Sequence, residues 1–114
     1  MSANDDGVMV IACYRPKPGK EKALLELMKS HLPTLRAEGL VGDGPSLCGR
    51  AKDETIIEVF NWKSQAAIDS AHKNPAVLAM WEKYGQACDY VSLTMLAEAR
   101  DMFASFTPVD LHSA

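Results

Sequence analysis

Two short runs, VMVIACY (Val8–Tyr14) and TIIEVFNW (Thr55–Trp62), are apolar at odd and even positions alike. Runs this short, bounded by turn formers, read as strands, and strand alternation then places apolar groups on both faces of the sheet they build. That demand limits the fold more than any other feature of the chain. Helices must cover one face, and something else must cover the other.

Between the runs the period changes. Arg15-Pro16-Lys17-Pro18-Gly19 ends the first strand in a turn. From Lys20 onward Leu24, Leu27, Met28, His31 and Leu35 recur at helical spacing, with Glu21, Lys22, Glu26 and Lys29 on other faces. Pro33 is expected to kink or split this helix, because it removes an internal hydrogen bond, and Gly39 offers a C-terminal cap. After the loop GLVGDGP come two strands, Ser46–Ala51 and Thr55–Trp62, joined by the turn Lys52-Asp53-Glu54. Ser64 is an N-cap for a second helical region that reaches Cys88, and Asn74-Pro75 divides that region in two. Tyr90–Leu96 (YVSLTML) reads as a fourth strand.

The order β-α-β-β-α-β is the ferredoxin-like split arrangement, an α+β fold whose four-stranded antiparallel sheet carries its helices on one face. The other face is apolar and bare. The C-terminal tail is one candidate cover and a second copy's sheet is the better one, so a face-to-face homodimer closing an α+β barrel is expected. Residues 8–97 form the expected domain, 1–7 a flexible N-terminus, and 98–114 a tail that is a candidate contact with the partner subunit.

Composition narrows the function classes. A chain of 114 residues with 47% hydrophobic and 24% charged residues is one ordinary globular domain. Its net charge is −3, and its densest basic cluster, Lys17, Lys20 and Lys22, reads as a solvated helix start, so no nucleic-acid partner is expected. Cys13, Cys48 and Cys88 are isolated and lack CxxC spacing, which argues against a disulfide framework or a zinc site. MSANDDG is no signal peptide, no stretch is long enough to span a membrane, and a cytoplasmic location is expected. Ser-His-Asp order, a phosphate loop and HExxH are all missing, so hydrolase, kinase and metalloenzyme readings gain nothing.

The segments YRPKPGKEKALLELM and EVFNWKSQAAIDSAHKNP, the latter with a strand-terminal Trp followed by Ser, a small residue and a His, resemble the antibiotic-biosynthesis-monooxygenase family of dimeric α+β barrels. The resemblance covers Val8 to Ala97. It implies an oxygenase that uses neither metal nor organic cofactor: an electron-rich phenol or quinol is deprotonated, and the anion reduces O2 in a dry pocket. WKSQAA also resembles a heme-degrading branch, but Trp81 stands where that branch has its iron-binding His, and its first-strand Asn is replaced in the region Cys13-Tyr14.

The candidate residues each carry two readings. Trp62 matches the family's strand-end Trp and is either a packing ring or a pocket wall. Asn61 points to the opposite face, either to polarise a carbonyl or as a polar edge residue. His72 matches the family's His and is the first candidate base, against an exposed helix-end residue. His31 is a core residue before it is a ligand, and His112 carries no role. Trp81 and Tyr84 share a helical face, as core or as a ligand pocket. Tyr14 could donate its hydroxyl at the opposite end of the sheet. Glu58 has the parity of Ile56, Phe60 and Trp62, and a buried carboxylate needs a partner. Arg50 on the adjacent strand is the natural one; otherwise Glu58 is a base inside the barrel and Arg50 holds a substrate oxyanion. The expected activity is cofactor-independent oxidation of a small aromatic, quinol-like substrate by O2. A non-catalytic small-molecule-binding or assembly dimer, and an isomerase, are the alternatives.

Overall fold

The computed structural model describes residues 7–111, so His112 and most of the expected flexible N-terminus lie outside it. The chain runs β1 (Val8–Pro16), α1 (Glu21–Ala37), β2 (Leu47–Arg50), β3 (Ile56–Trp62), α2 (Gln65–Ala71), α3 (Pro75–Ala87), β4 (Cys88–Val91) and β5 (Thr107–Pro108). The sheet is antiparallel with order β4-β1-β3-β2-β5. This is the α+β ferredoxin-like fold, with a fifth strand added at the β2 edge.

The helices lie on one face, where Leu24, Met28 and Leu35 of α1 and Val77 and Met80 of α3 pack with Ile56 and Phe60 of β3. Their caps follow from the sequence. Gly39, at φ 73°, closes α1 with Gly39 N–H donating to Arg36 O at 3.0 Å and Leu40 N–H to Leu35 O at 3.0 Å. This is the paired-bond termination that a left-handed residue allows. Ser64 Oγ accepts from Ala67 N–H at 3.0 Å, and Asn74 Oδ1 from Ala76 and Val77 N–H at 2.9 and 3.2 Å.

Three expectations are corrected. Of the two outcomes expected of Pro33, the split does not occur: α1 is one helix from Glu21 to Ala37. Pro33 and Lys29 are both exposed, so the Lys29 carbonyl that loses its partner faces water. The fourth strand is Cys88–Val91 instead of Tyr90–Leu96, because Ser92 Oγ accepts from Thr94 N–H at 3.3 Å and turns Leu93–Met95 into a 3-10 segment. The sheet has five strands because the tail returns to pair with β2.

That tail belongs to the fold of its own chain. Leu96, just before the tail, joins Cys13, Ala51 and Ile57 in a small cluster on the second sheet face, and Phe106 of the tail packs against it. Leu111 then enters the helix-side core. The cover is incomplete: Leu47 remains 75% exposed, Met9 66% and Ile11 44%.

Candidate functional site

Strand alternation sends Val10, Ala12 and Tyr14 of β1, and Glu58, Phe60 and Trp62 of β3, toward the helices. His31 faces them from α1, one turn from Met28 and Leu35. Trp81 and Tyr84 face them from α3. Together with Tyr90 of β4, all of these side chains except Glu58 line a cavity of about 320 Å³ whose wall is mostly aromatic. That volume suits a small planar ligand.

The polar chemistry lies at its floor. Glu58 has no solvent exposure. Register places Ala12 opposite it on β1, so Tyr14 is its diagonal neighbour on the same face, within reach of a long side chain. Tyr14 Oη donates to Glu58 Oε1 at 2.8 Å. His31, 3% exposed, brings Nδ1 to 2.8 Å from the same oxygen, although the contact lacks good hydrogen-bond alignment. Among the described residues, Glu58 Oε2 and Tyr84 Oη are buried without a hydrogen-bond partner. His31 meets Phe60 and Tyr84 edge-on, with ring centres 5.0 and 5.6 Å apart.

Burial, then the Glu58 charge, pushes the Tyr14 hydroxyl well above its ordinary value. The same two causes, in the same order, raise Tyr84 strongly. Tyr90 is pushed up to about 12, mainly by burial. All three are therefore hydrogen-bond donors at neutral pH.

Five of the candidate residues thus converge: Tyr14, Trp62, Trp81 and Tyr84 line the cavity and Glu58 lies beneath it. Tyr14 is not at the far end of the sheet from Tyr84; their ring centres are 5.2 Å apart. The other three lie elsewhere. His72 is exposed, its Nδ1 lies 2.8 Å from Ile68 O, and its ring touches the cavity only through Trp81, at 5.1 Å between centres. Asn61 is exposed on the second face, opposite Met9.

Arg50 is not the partner of Glu58. Its guanidinium pairs with Glu21 at the start of α1 and lies 3.7 Å from Glu54. Both acids are near solvent, where a guanidinium keeps part of its hydration, whereas a position under Glu58 would bury it. Cys48 takes the place across from Glu58 on β2. Sequence reasoning also undervalued His31. Its signal was a His on the apolar stripe of a helix, and nothing local linked that stripe to β3.

A second hollow of about 440 Å³ lies on the other sheet face, lined by Ile11, Leu47, Ile57, Val59 and Phe106 among others. Its one reactive side chain is Cys48, whose thiol burial pushes up to about 11. It offers shape without polar chemistry.

Residues 7–83 match the family model described as antibiotic biosynthesis monooxygenase. The match contains Tyr14, His31, Glu58, Trp62 and Trp81; Tyr84, Tyr90 and the tail lie beyond it. Among solved structures, the chain is similar to Rv0793 from Mycobacterium tuberculosis, at 21% identity and a TM-score of 0.58, over 73% of this chain and 86% of that one. At that identity the likeness shows the fold alone. No curated protein sequence matches.

Proposed function

The chain belongs to the antibiotic biosynthesis monooxygenase family, and on that footing we propose that it is a cofactor-independent monooxygenase acting on a small aromatic, quinol-like substrate. The observation that carries this reading is the aromatic cavity between the sheet and helices α1 and α3, floored by the Tyr14–Glu58–His31 cluster. Trp62 and Trp81 are the walls against which a planar ring stacks. The floor cluster takes a proton from the substrate, and the Tyr84 hydroxyl donates to the oxygen on which charge develops. In the simplest balanced reaction a ring CH2 becomes C=O. One atom of O2 stays as the carbonyl oxygen, and the other leaves as water with the two hydrogens. The substrate supplies every electron, so no further reductant enters. His72, Asn61 and Arg50 receive no ligand contact in this reading, because each lies outside the cavity lining.

Members of this family commonly bind small molecules and dimerise. We propose a homodimer here as well, formed through the second sheet face around Leu47, Met9 and Ile11, whose exposure is costly for a lone chain.

Oxygen uptake by metal-free protein against a panel of anthrones and quinols tests the activity. Uptake above the uncatalysed rate, lost in Trp62→Ala, is the expected result. Turnover that proceeds equally without oxygen would replace the reading with an isomerase. Binding without turnover on every panel member would leave a binding protein.

A further inference from the structure

We infer that His31 is the base of this site, acting through Nε2, and that Glu58 is the positioning residue that prepares it. The inference rests on the cavity being the substrate site, as read above. His31 lines the cavity from α1, while its Nδ1 lies 2.8 Å from the buried Glu58 Oε1. The two ring nitrogens are separated by Cε1, so a ring whose Nδ1 edge meets the floor carries Nε2 along its other edge. Among the described residues no hydrogen bond occupies Nε2. A carboxylate beside Nδ1 favours the proton there, and the neutral ring then holds its lone pair on Nε2.

The rival bases are less well placed. Glu58 does not line the cavity; one of its oxygens accepts from Tyr14 and lies 2.8 Å from His31 Nδ1, and the other is enclosed. His72 is exposed and outside the lining. Tyr14 and Tyr84 keep their protons and act as donors. The ionisable groups around His31 are therefore Tyr14 from β1, Glu58 from β3, Tyr84 from α3 and Tyr90 from β4, and the three tyrosines keep their protons. Edge-on contacts with Phe60 and Tyr84 hold the ring in this orientation.

The step is a proton transfer. The substrate O–H bond breaks, its proton passes to Nε2, and the electron pair stays on the phenolic oxygen, which accepts from Tyr84 Oη. The positive charge on the imidazolium is balanced by Glu58.

Two measurements that need no oxidation test this assignment. The first is nitrogen-15 NMR of histidine-labelled protein at neutral pH. His31 is expected to show the Nδ1–H form with an unprotonated Nε2, and Glu58→Met to return the ring to the Nε2–H form favoured by free imidazole. The second is the absorption of 4-nitrophenol bound at a pH where the free phenol is mainly neutral. Wild-type protein is expected to generate the phenolate band, and His31→Gln to lose it. An Nε2–H ring in the wild-type protein, no phenolate band, or an equal band in His31→Gln would each overturn the assignment. If Glu58→Met does not fold, the wild-type tautomer and His31→Gln still decide. Proton capture without oxygen uptake would leave His31 as the base and remove the oxygenase reading alone.

Discussion

A carboxylate with no solvent exposure, as at Glu58, is tolerated only where donors replace the water it has lost. Tyr14 supplies one such bond at 2.8 Å, while its ring is buried in the helix-side core. Removing the hydroxyl in Tyr14→Phe is expected to lower stability by about 2 kcal/mol, since the bond lost is to a charged acceptor. Its pH dependence has a defined sign. The folded-state pKa of Tyr14 is raised above its ordinary value of 10.0, by burial first and the Glu58 charge second. The stability tied to its neutral form is therefore complete below about 10 and declines as pH rises from there toward the folded value. Urea midpoints followed from neutral to strongly alkaline pH check both points. The wild type is expected to weaken above about pH 10, and Tyr14→Phe to begin lower and decline less steeply. Parallel curves would refute the role given to this hydroxyl.

At the scale of elements, the site depends on how α1 and α3 are fixed over the sheet. Asn74 links them: its Oδ1 caps α3, while its Nδ2 donates to Glu38 Oε1 at the end of α1, at 2.9 Å. One residue thus sets the start of the helix that carries Trp81 and Tyr84 against the end of the helix that carries His31. Asn74→Ala is expected to cost about 1 kcal/mol, the usual worth of an N-cap, read as a lower urea midpoint at unchanged slope. An unchanged midpoint would mean that Pro75 and packing alone fix the start of α3.

At the scale of the whole molecule, the second sheet face is an apolar surface that the chain leaves partly open among the described residues. Phe106 and Leu96 cover one part of the second face, while Leu47, Met9 and Ile11 stay exposed beside the apolar hollow. Light scattering is expected to give twice the mass of the 12.4 kDa chain. Charges at exposed positions, in the double variant Ile11→Lys and Leu47→Glu, are expected to return it to the monomer mass. Truncating the tail would be a poorer test, because Leu111 belongs to the chain's own core and β5 to its own sheet. A wild-type monomer would refute the dimer.

Elements and caps were legible in the sequence because the physics that makes them is local. Val8–Tyr14 and Thr55–Trp62 carry their strand character in their own residues, and Ser64, Gly39 and Asn74-Pro75 cap helices through bonds to chain neighbours. The order of those elements was enough for the ferredoxin-like arrangement, and strand parity was enough to put Glu58 on the face of Phe60 and Trp62. Only the tertiary structure chose between partners. Arg50 and Tyr14 were both within one strand of Glu58, and His31 was on a helix with no local tie to it; register, and the approach of Glu21 to Arg50, decided which of them met the carboxylate. The fate of the tail and the end of β4 also turned on long-range pairing and on the Ser92 side chain, neither of which apolar periodicity reports. Local bonds are written in residues a few positions apart. The floor of the cavity is written in residues 17 and 27 positions apart, from Tyr14 to His31 and from His31 to Glu58, and folding alone brings them together.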